Sequence, residues 1–198
     1  MDIDKIYEKG RRYAEGKGFI QSYENAFLCL KTAADLGHPK AQYNTGILLH
    51  QGLGTELCLE EAFRYFNLAS QQNHPRAHYV LGCYYAFGYL SAPNKGEAVR
   101  YFRLAADLGI QDAQYDLGVL YLQGDGIEKS EEEAVRYFTL AANQGLATAQ
   151  YNLGICYLKG WGVFRSEERG IHYLEMAANL GDSKAMEILS SKTANRVS

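Results

Sequence analysis

The side chains of this 198-residue protein that could do chemistry are five histidines, four cysteines and several paired carboxylates. His74 and His78 stand four apart, a spacing that can set two imidazoles on one helical face and begin a metal site. No carboxylate or third histidine joins them at ligand spacing, and His50 is remote in sequence. His74 also precedes Pro75, whose fixed φ suits the first helical turn, so His74 falls near a cap and the two rings need not share a face. Cys83 or Cys156 would need an adjacent base and an oxyanion cradle to act as a nucleophile, and the sequence places neither. The pairs Glu60 with Glu61, Glu132 with Glu133 and Glu167 with Glu168 recur at one register, the start of a helix, where negative charge complements the dipole. Gly124-Asp125-Gly126 lacks the preceding strand that a phosphate loop needs. We therefore expect no catalytic residue, no metal and no cofactor.

Charge and composition narrow the remaining classes. Twenty Lys and Arg against 23 Asp and Glu leave a formal net charge of −3 and a pI near 6.0. Without a long block of like charge there is no electrostatic footprint for nucleic acid. The opening MDIDKIYEKGRRYAEGKG has no apolar core of a signal peptide, and no stretch approaches the roughly 18 apolar residues of a membrane span. A cytoplasmic protein with no membrane insertion is expected. Cys29, Cys58, Cys83 and Cys156 are dispersed, with no C-x-x-C, and fit buried thiols in a reducing compartment. Sixteen tyrosines are the one oddity of composition.

The elements that would position these groups come from an internal period. Ala-Gln-Tyr-Asn-Thr-Gly begins at Ala41, and variants of it begin at Ala77, Ala113 and Ala149, each 36 residues on. Projected backwards, the register opens near Lys5; a degenerate copy opens at Ala185. Five repeats follow, 5–40, 41–76, 77–112, 113–148 and 149–184, with a capping helix over 185–192 and a frayed tail over 193–198. Together they form a single domain, 1–198.

Within each repeat, apolar or small residues spaced three and four apart, such as Ala113, Leu117, Leu120 and Tyr121, predict a first helix, A. Gly16, Gly52, Gly88, Gly124 and Gly160 end it. A second glycine two residues later makes a turn, except where Leu90 stands. Ser22, Asn94, Ser130 and Ser166 then cap a second helix, B, and Glu97 and Glu133 complete a capping box with Asn94 and Ser130. Cys58 holds that position in the second repeat and should cap poorly, leaving that turn less firmly closed. Gly10, Gly46, Gly82, Gly118 and Gly154 fall in mid-helix, where glycine costs about 1 kcal/mol relative to alanine. We ascribe this to close approach of helix B through the small Ala62, Ala98 and Ala134. Tyr13, Tyr85, Tyr121 and Tyr157 should fill the space between successive pairs.

The pattern Ala-x-x-x-Leu-Gly-x-x-Tyr-x-x-Gly-x-Gly, then Ala-x-x-Tyr-x-x-x-Ala-Ala-x-x-Gly, resembles the Sel-one-like repeat, a relative of the tetratricopeptide repeat. Residues 149–181 carry it most fully, with Gly170 where alanine is usual. The resemblance implies an all-α fold: a right-handed α-solenoid of antiparallel helix pairs, tetratricopeptide-like. It implies a scaffold or adaptor that binds a protein or peptide. Cysteine-rich members join successive helices by disulfides at positions that here are alanines, as at Ala34 with Ala41 and Ala106 with Ala113. That departure argues against the disulfide-stapled subclass and the hydrolase activity sometimes attached to it.

By the same resemblance, helix A lines a concave wall. The residues expected to meet a partner are the ladder Tyr43, Tyr79, Tyr115 and Tyr151, following Tyr7. Ile47, Cys83, Val119 and Ile155 lie one turn on, and His50, Phe87, Gln123 and Lys159 beyond them. Tyrosine suits such a wall, with large rigid area and a hydroxyl for backbone. Packing within the repeat accounts for the ladder equally well. The chain is expected to be a monomer, with a self-associating structural solenoid as the alternative.

Overall fold

The computed structural model describes residues 2–197, with side chains through residue 192. Among them are eleven helices and no strand: α1 Ile3–Glu15, α2 Tyr23–Asp35, α3 Pro39–Gln51, α4 Leu59–Gln71, α5 Pro75–Phe87, α6 Lys95–Asp107, α7 Gln111–Gln123, α8 Glu131–Asn143, α9 Ala147–Lys159, α10 Glu167–Asn179 and α11 Ser183–Val197. Helices this short are marginal alone and depend on packing. Odd-numbered helices α1 to α9 are the A helices of the repeats, and α2 to α10 the B helices. Contacts gather the chain into two compact units, residues 1–104 and 105–198. In the first, α1 packs on α2, α2 on α3, α3 on α4 and α4 on α5. In the second the order is α7, α8, α9, α10, α11, each against the next. Contact mainly between helices adjacent in sequence is the rule of a solenoid.

Each A helix ends on its expected glycine, with φ between 66° and 77° at Gly16, Gly52, Gly88, Gly124 and Gly160. The second turn glycine serves packing as well as turning. A Cβ on Gly54 would overlap the backbone of Tyr23, and one on Gly162 that of Glu131, so each turn rests main chain to main chain on the preceding B helix.

Ser22, Asn94, Ser130 and Ser166 accept from the backbone N–H three residues on, at 3.1–3.3 Å. The reciprocal half of the capping box is absent. Glu97 and Glu133 bind Arg100 and Arg136 instead, because the cap N–H groups of Asn94 and Ser130 already donate to Tyr85 O and Tyr121 O. Cys58 makes no side-chain cap bond, as expected. Its turn is nevertheless closed like the others, Cys58 N–H donating to Leu49 O at 3.0 Å, since the main chain carries that bond.

Two packing expectations are corrected in part. In the three middle repeats the space left by the mid-helix glycine is taken by an aromatic ring of helix B; at Gly10 and Gly154 it is taken by Leu30 and Leu174, and only at Gly154 does the helix B backbone approach as expected, through Gly170 O. A Cβ on Gly46, Gly82 or Gly118 would come within 2.5–2.6 Å of Phe66, Phe102 or Phe138. Ala62, Ala98 and Ala134 are fully buried but do not fill that space. Tyr85, Tyr121 and Tyr157 stack inside their own helix pair, because helix B presents a tyrosine opposite; Tyr85 also meets Phe63 of the preceding pair at 5.9 Å, as expected, and Tyr13 stacks on Phe19 at 4.3 Å. Tyr85 stacks on Tyr101, Tyr121 on Tyr137 and Tyr157 on Tyr173, with centroids 5.5–5.6 Å apart. Arg100 and Arg136 cover the outer faces of Tyr101 and Tyr137 at 4.1 Å.

A glutamine near the start of the A helix ties repeat to repeat. Gln42, Gln114 and Gln150 donate to Ala34 O, Ala106 O and Ala142 O at 3.1–3.3 Å, pairing carbonyls at the end of the previous helix. At the C-terminus Asp182 accepts from Ala185 N at 2.9 Å, so α11 starts at Ser183 rather than 185. It runs beyond residue 192 to Val197, the segment holding neither glycine nor proline to stop it. Ser198 lies outside the described residues.

Candidate partner-binding face

The A helices α3 to α9 are apolar on two sides, whereas α1 turns Glu8, Arg11 and Glu15 to solvent. In α3, Ala41, Thr45, Gly46, Leu48 and Leu49 are buried, yet Tyr43, Ile47 and His50 on the other side are only half covered. B helices are different: α8 buries Ala134, Val135, Phe138, Ala141 and Ala142 and turns Glu132, Arg136 and Asn143 to solvent. A surface helix normally shows the second pattern.

In the first unit the structure brings together the predicted residues of α3 and α5. Tyr43 stacks on His74 at 4.7 Å and tilts over Phe66 at 5.9 Å; burial raises its hydroxyl pKa, and Arg76 opposes that rise. Tyr7 makes the equivalent stack on His38 at 4.4 Å. Tyr79 lies 5.6 Å from Phe102. Cys83 is half-buried, while Phe87 is 67 % exposed and reaches Tyr89 at 5.9 Å. Nδ1 of His50 is 2.8 Å from the Tyr84 hydroxyl, whose ionisation burial holds far above the usual tyrosine range. Ile47 helps line a cavity of about 310 Å³ with Arg11, Glu15, Asn44 and Gln51.

In the second unit Tyr115 lies 6.0 Å from Phe138, and with Val119 it packs against the core that holds Leu153 and Cys156. Tyr151 and Ile155 pack against Leu174 and Ala185. Gln123 and Lys159 are exposed at the ends of α7 and α9. The tyrosine ladder thus has packing contacts on one side and an open edge on the other.

Sequence reasoning missed Tyr84 and Tyr89, which surround His50; both follow the repeat's Gly82 at positions where other repeats hold different side chains. It also missed the stack of ladder tyrosine on cap histidine, signalled by His-Pro at both 38–39 and 74–75. His74 accepts from Ala77 N at 3.3 Å as N-cap of α5. His78, 3 % exposed, turns inward, its Nδ1 2.9 Å from Ser70 Oγ. The two rings have separate tasks. Cys156 is buried, and burial pushes its thiol up to about 11, which disfavours the thiolate a nucleophile needs. Among the described residues no helix is long and apolar enough to cross a membrane.

A stack of helix pairs with an apolar, partly open A face defines the class of helical-repeat scaffolds. The Sel1 repeat profile matches residues 7–38, 39–74, 75–110, 111–146 and 147–182, and the chain belongs to the Sel1 repeat family. A Sel1 repeat protein from Oxalobacter formigenes is 32 % identical, with TM-score 0.88 over 96 % of this chain and 78 % of that one. A protective antigen of uropathogenic Escherichia coli with this repeat fold is 28 % identical, with TM-score 0.90 over 92 % of this chain but 39 % of its own. An immunity protein from Pseudomonas aeruginosa, 23 % identical with TM-score 0.56 over 92 % of this chain and 67 % of its own, shares the fold. No curated protein matches the sequence. Proteins of this family are in general protein-interaction scaffolds.

Proposed function

We propose that this protein is an adaptor or scaffold, without catalytic activity, that receives a peptide or protein partner on the A faces of its repeats. The observation that carries this reading is the second apolar side of the A helices. Tyr43, Ile47, Tyr79 and Phe87 in the first unit, and Tyr115, Val119, Tyr151 and Ile155 in the second, are aromatic or aliphatic where a solvent face is ordinarily polar. Packing against the next repeat covers these side chains only in part and leaves an apolar edge open. Their spacing along the helices suits a ligand read one or two side chains per repeat, as stacked repeats do. Four cysteines in no disulfide among the described residues, with alanines at the disulfide positions, support a reducing, cytoplasmic setting.

Affinity capture from the native cell tests it, comparing wild type with Phe87→Ala combined with Gln123→Ala and Lys159→Ala. These three side chains are exposed, so their truncation should leave helicity and Tm unchanged. A partner set held by wild type and lost with the variant is the expected result, with Phe87 alone contributing about 2 kcal/mol. Identical partners for both proteins, or none for either, would refute the reading.

A further inference from the structure

At one register position the repeats differ in charge. The second residue of the helix beginning each unit is Asp4, Lys40, Arg76, Asp112, Thr148 and Lys184. Consecutive A helices α3 and α5 of the first unit therefore open with exposed cations where neighbouring repeats have aspartate. A cation in the first turn opposes the helix dipole, so helix stability is not the reason for either. Neither has a carboxylate partner among the described residues.

Their surroundings are aromatic. Tyr43, three residues after Lys40, stacks on His74, two residues before Arg76, with centroids 4.7 Å apart, which brings the starts of α3 and α5 together. The charges acting on His74 are Arg76, Lys40 and His78. The nearby Asp4 is engaged with His38 Nε2 at 3.3 Å. From this platform the same two helices run on through Ile47 and His50, and through Tyr79, Cys83 and Phe87, which are apolar or aromatic and partly open. The face is cationic at one end and apolar along its length, in a chain whose net charge is −3.

We propose that the α3–α5 face binds an acidic, hydrophobic segment of a partner protein, its carboxylates at Lys40 and Arg76 and its apolar side chains along Ile47, Tyr79 and Phe87. This rests on the adaptor reading and names the partner's chemistry at that site. Two cations beside an apolar track match a few carboxylates on a peptide, whereas a nucleic acid needs an extended basic surface to neutralise its phosphates.

The test uses the full chain against an array of 12-residue synthetic peptides of matched apolar content, carrying zero to four Asp or Glu, or the same number of Lys. The tightest binders go on to fluorescence anisotropy over a salt series. Affinity should rise with acidic content and fall with salt. Lys40→Glu with Arg76→Glu should weaken acidic peptides tenfold or more and shift preference toward lysine peptides. Tm should hold or rise, since glutamate suits the first turn, so lost binding cannot be blamed on lost folding. Equal binding of acidic and neutral peptides, or affinity indifferent to the double charge reversal, overturns the inference. So does a single-stranded 12-nucleotide DNA that binds as tightly as the best acidic peptide. Peptides bound regardless of charge but lost on Phe87→Ala would sink this inference and keep the adaptor reading. No peptide bound at all would sink it too, leaving the adaptor reading to the capture experiment.

Discussion

Gly118→Ala sets two effects of one methyl group against each other. Gly118 lies in the middle of α7, where alanine should gain about 1 kcal/mol of helix propensity. The new Cβ, however, would stand 2.6 Å from Cδ1 and Cε1 of Phe138 and 3.1 Å from Cζ, well inside the ~3.5–4.0 Å of favourable carbon contact. Phe138 is fully buried, so the ring has nowhere to retreat without displacing the helix pair. Overpacking of this kind costs about 1–3 kcal/mol, leaving a net loss of about 1 kcal/mol and a fall in Tm of about 2–4 °C. Gly96→Ala, in the first turn of α6, is the matched control. Its Cβ would meet only Asn94 Oδ1 at 3.6 Å, and the same propensity term should raise stability by up to about 1 kcal/mol. Urea and thermal unfolding followed by circular dichroism measure both, with hydrogen exchange assigning each change to its unit. If Gly118→Ala stabilises as much as Gly96→Ala, the phenylalanine-in-the-gap account is wrong.

Three further outcomes are expected. Cys58→Ser supplies the missing N-cap oxygen of α4 and should raise the urea midpoint by about 0.5–1 kcal/mol in stability, whereas Ser130→Ala should lower it by about 1. Burial pushes the His78 imidazole below its ordinary value, with Arg100 adding to the effect, so the unfolded chain takes the proton more readily. Stability should then be full above about pH 6.5 and decline as the pH falls below it. His78→Gln, the residue at Gln42, Gln114 and Gln150, should flatten that decline, leaving the share of His74, whose imidazole burial also lowers. A Tm–pH profile unchanged by the substitution would remove His78 as the cause.

Much of the fold was readable in the sequence because the strongest signals are local. A glycine at φ near 70° or a serine three residues before its bonded N–H is set by a few neighbouring residues, and the 36-residue interval placed each one. What could not be read depends on which side chain from another helix arrives. That Phe66, rather than Ala62, faces Gly46 is a matter of helix rotation about its axis, which periodicity leaves undetermined. The period places Tyr85 in the gap between pairs, where it meets Phe63, but its stack on Tyr101 is invisible until the two helices of its own pair meet. The capping box is absent at Glu97 and Glu133 because the cap N–H groups donate to Tyr85 O and Tyr121 O, which leaves the carboxylates to Arg100 and Arg136. At the candidate face the regular residues were named in advance. The irregular ones, Tyr84 and Tyr89 around His50 and the cations Lys40 and Arg76, are visible only as departures from the period, and their meaning required the contacts.

Because Gly54 and Gly162 seat their turns directly on the backbone beginning the preceding B helix, the rise from one unit to the next there is gauged by peptide groups. Side chains elsewhere can drift without altering that pitch, so recognition surfaces are free to be rewritten repeat by repeat on a constant chassis. In the third repeat exposed Leu90 stands in the glycine's place, and that turn has no glycine seat of this kind.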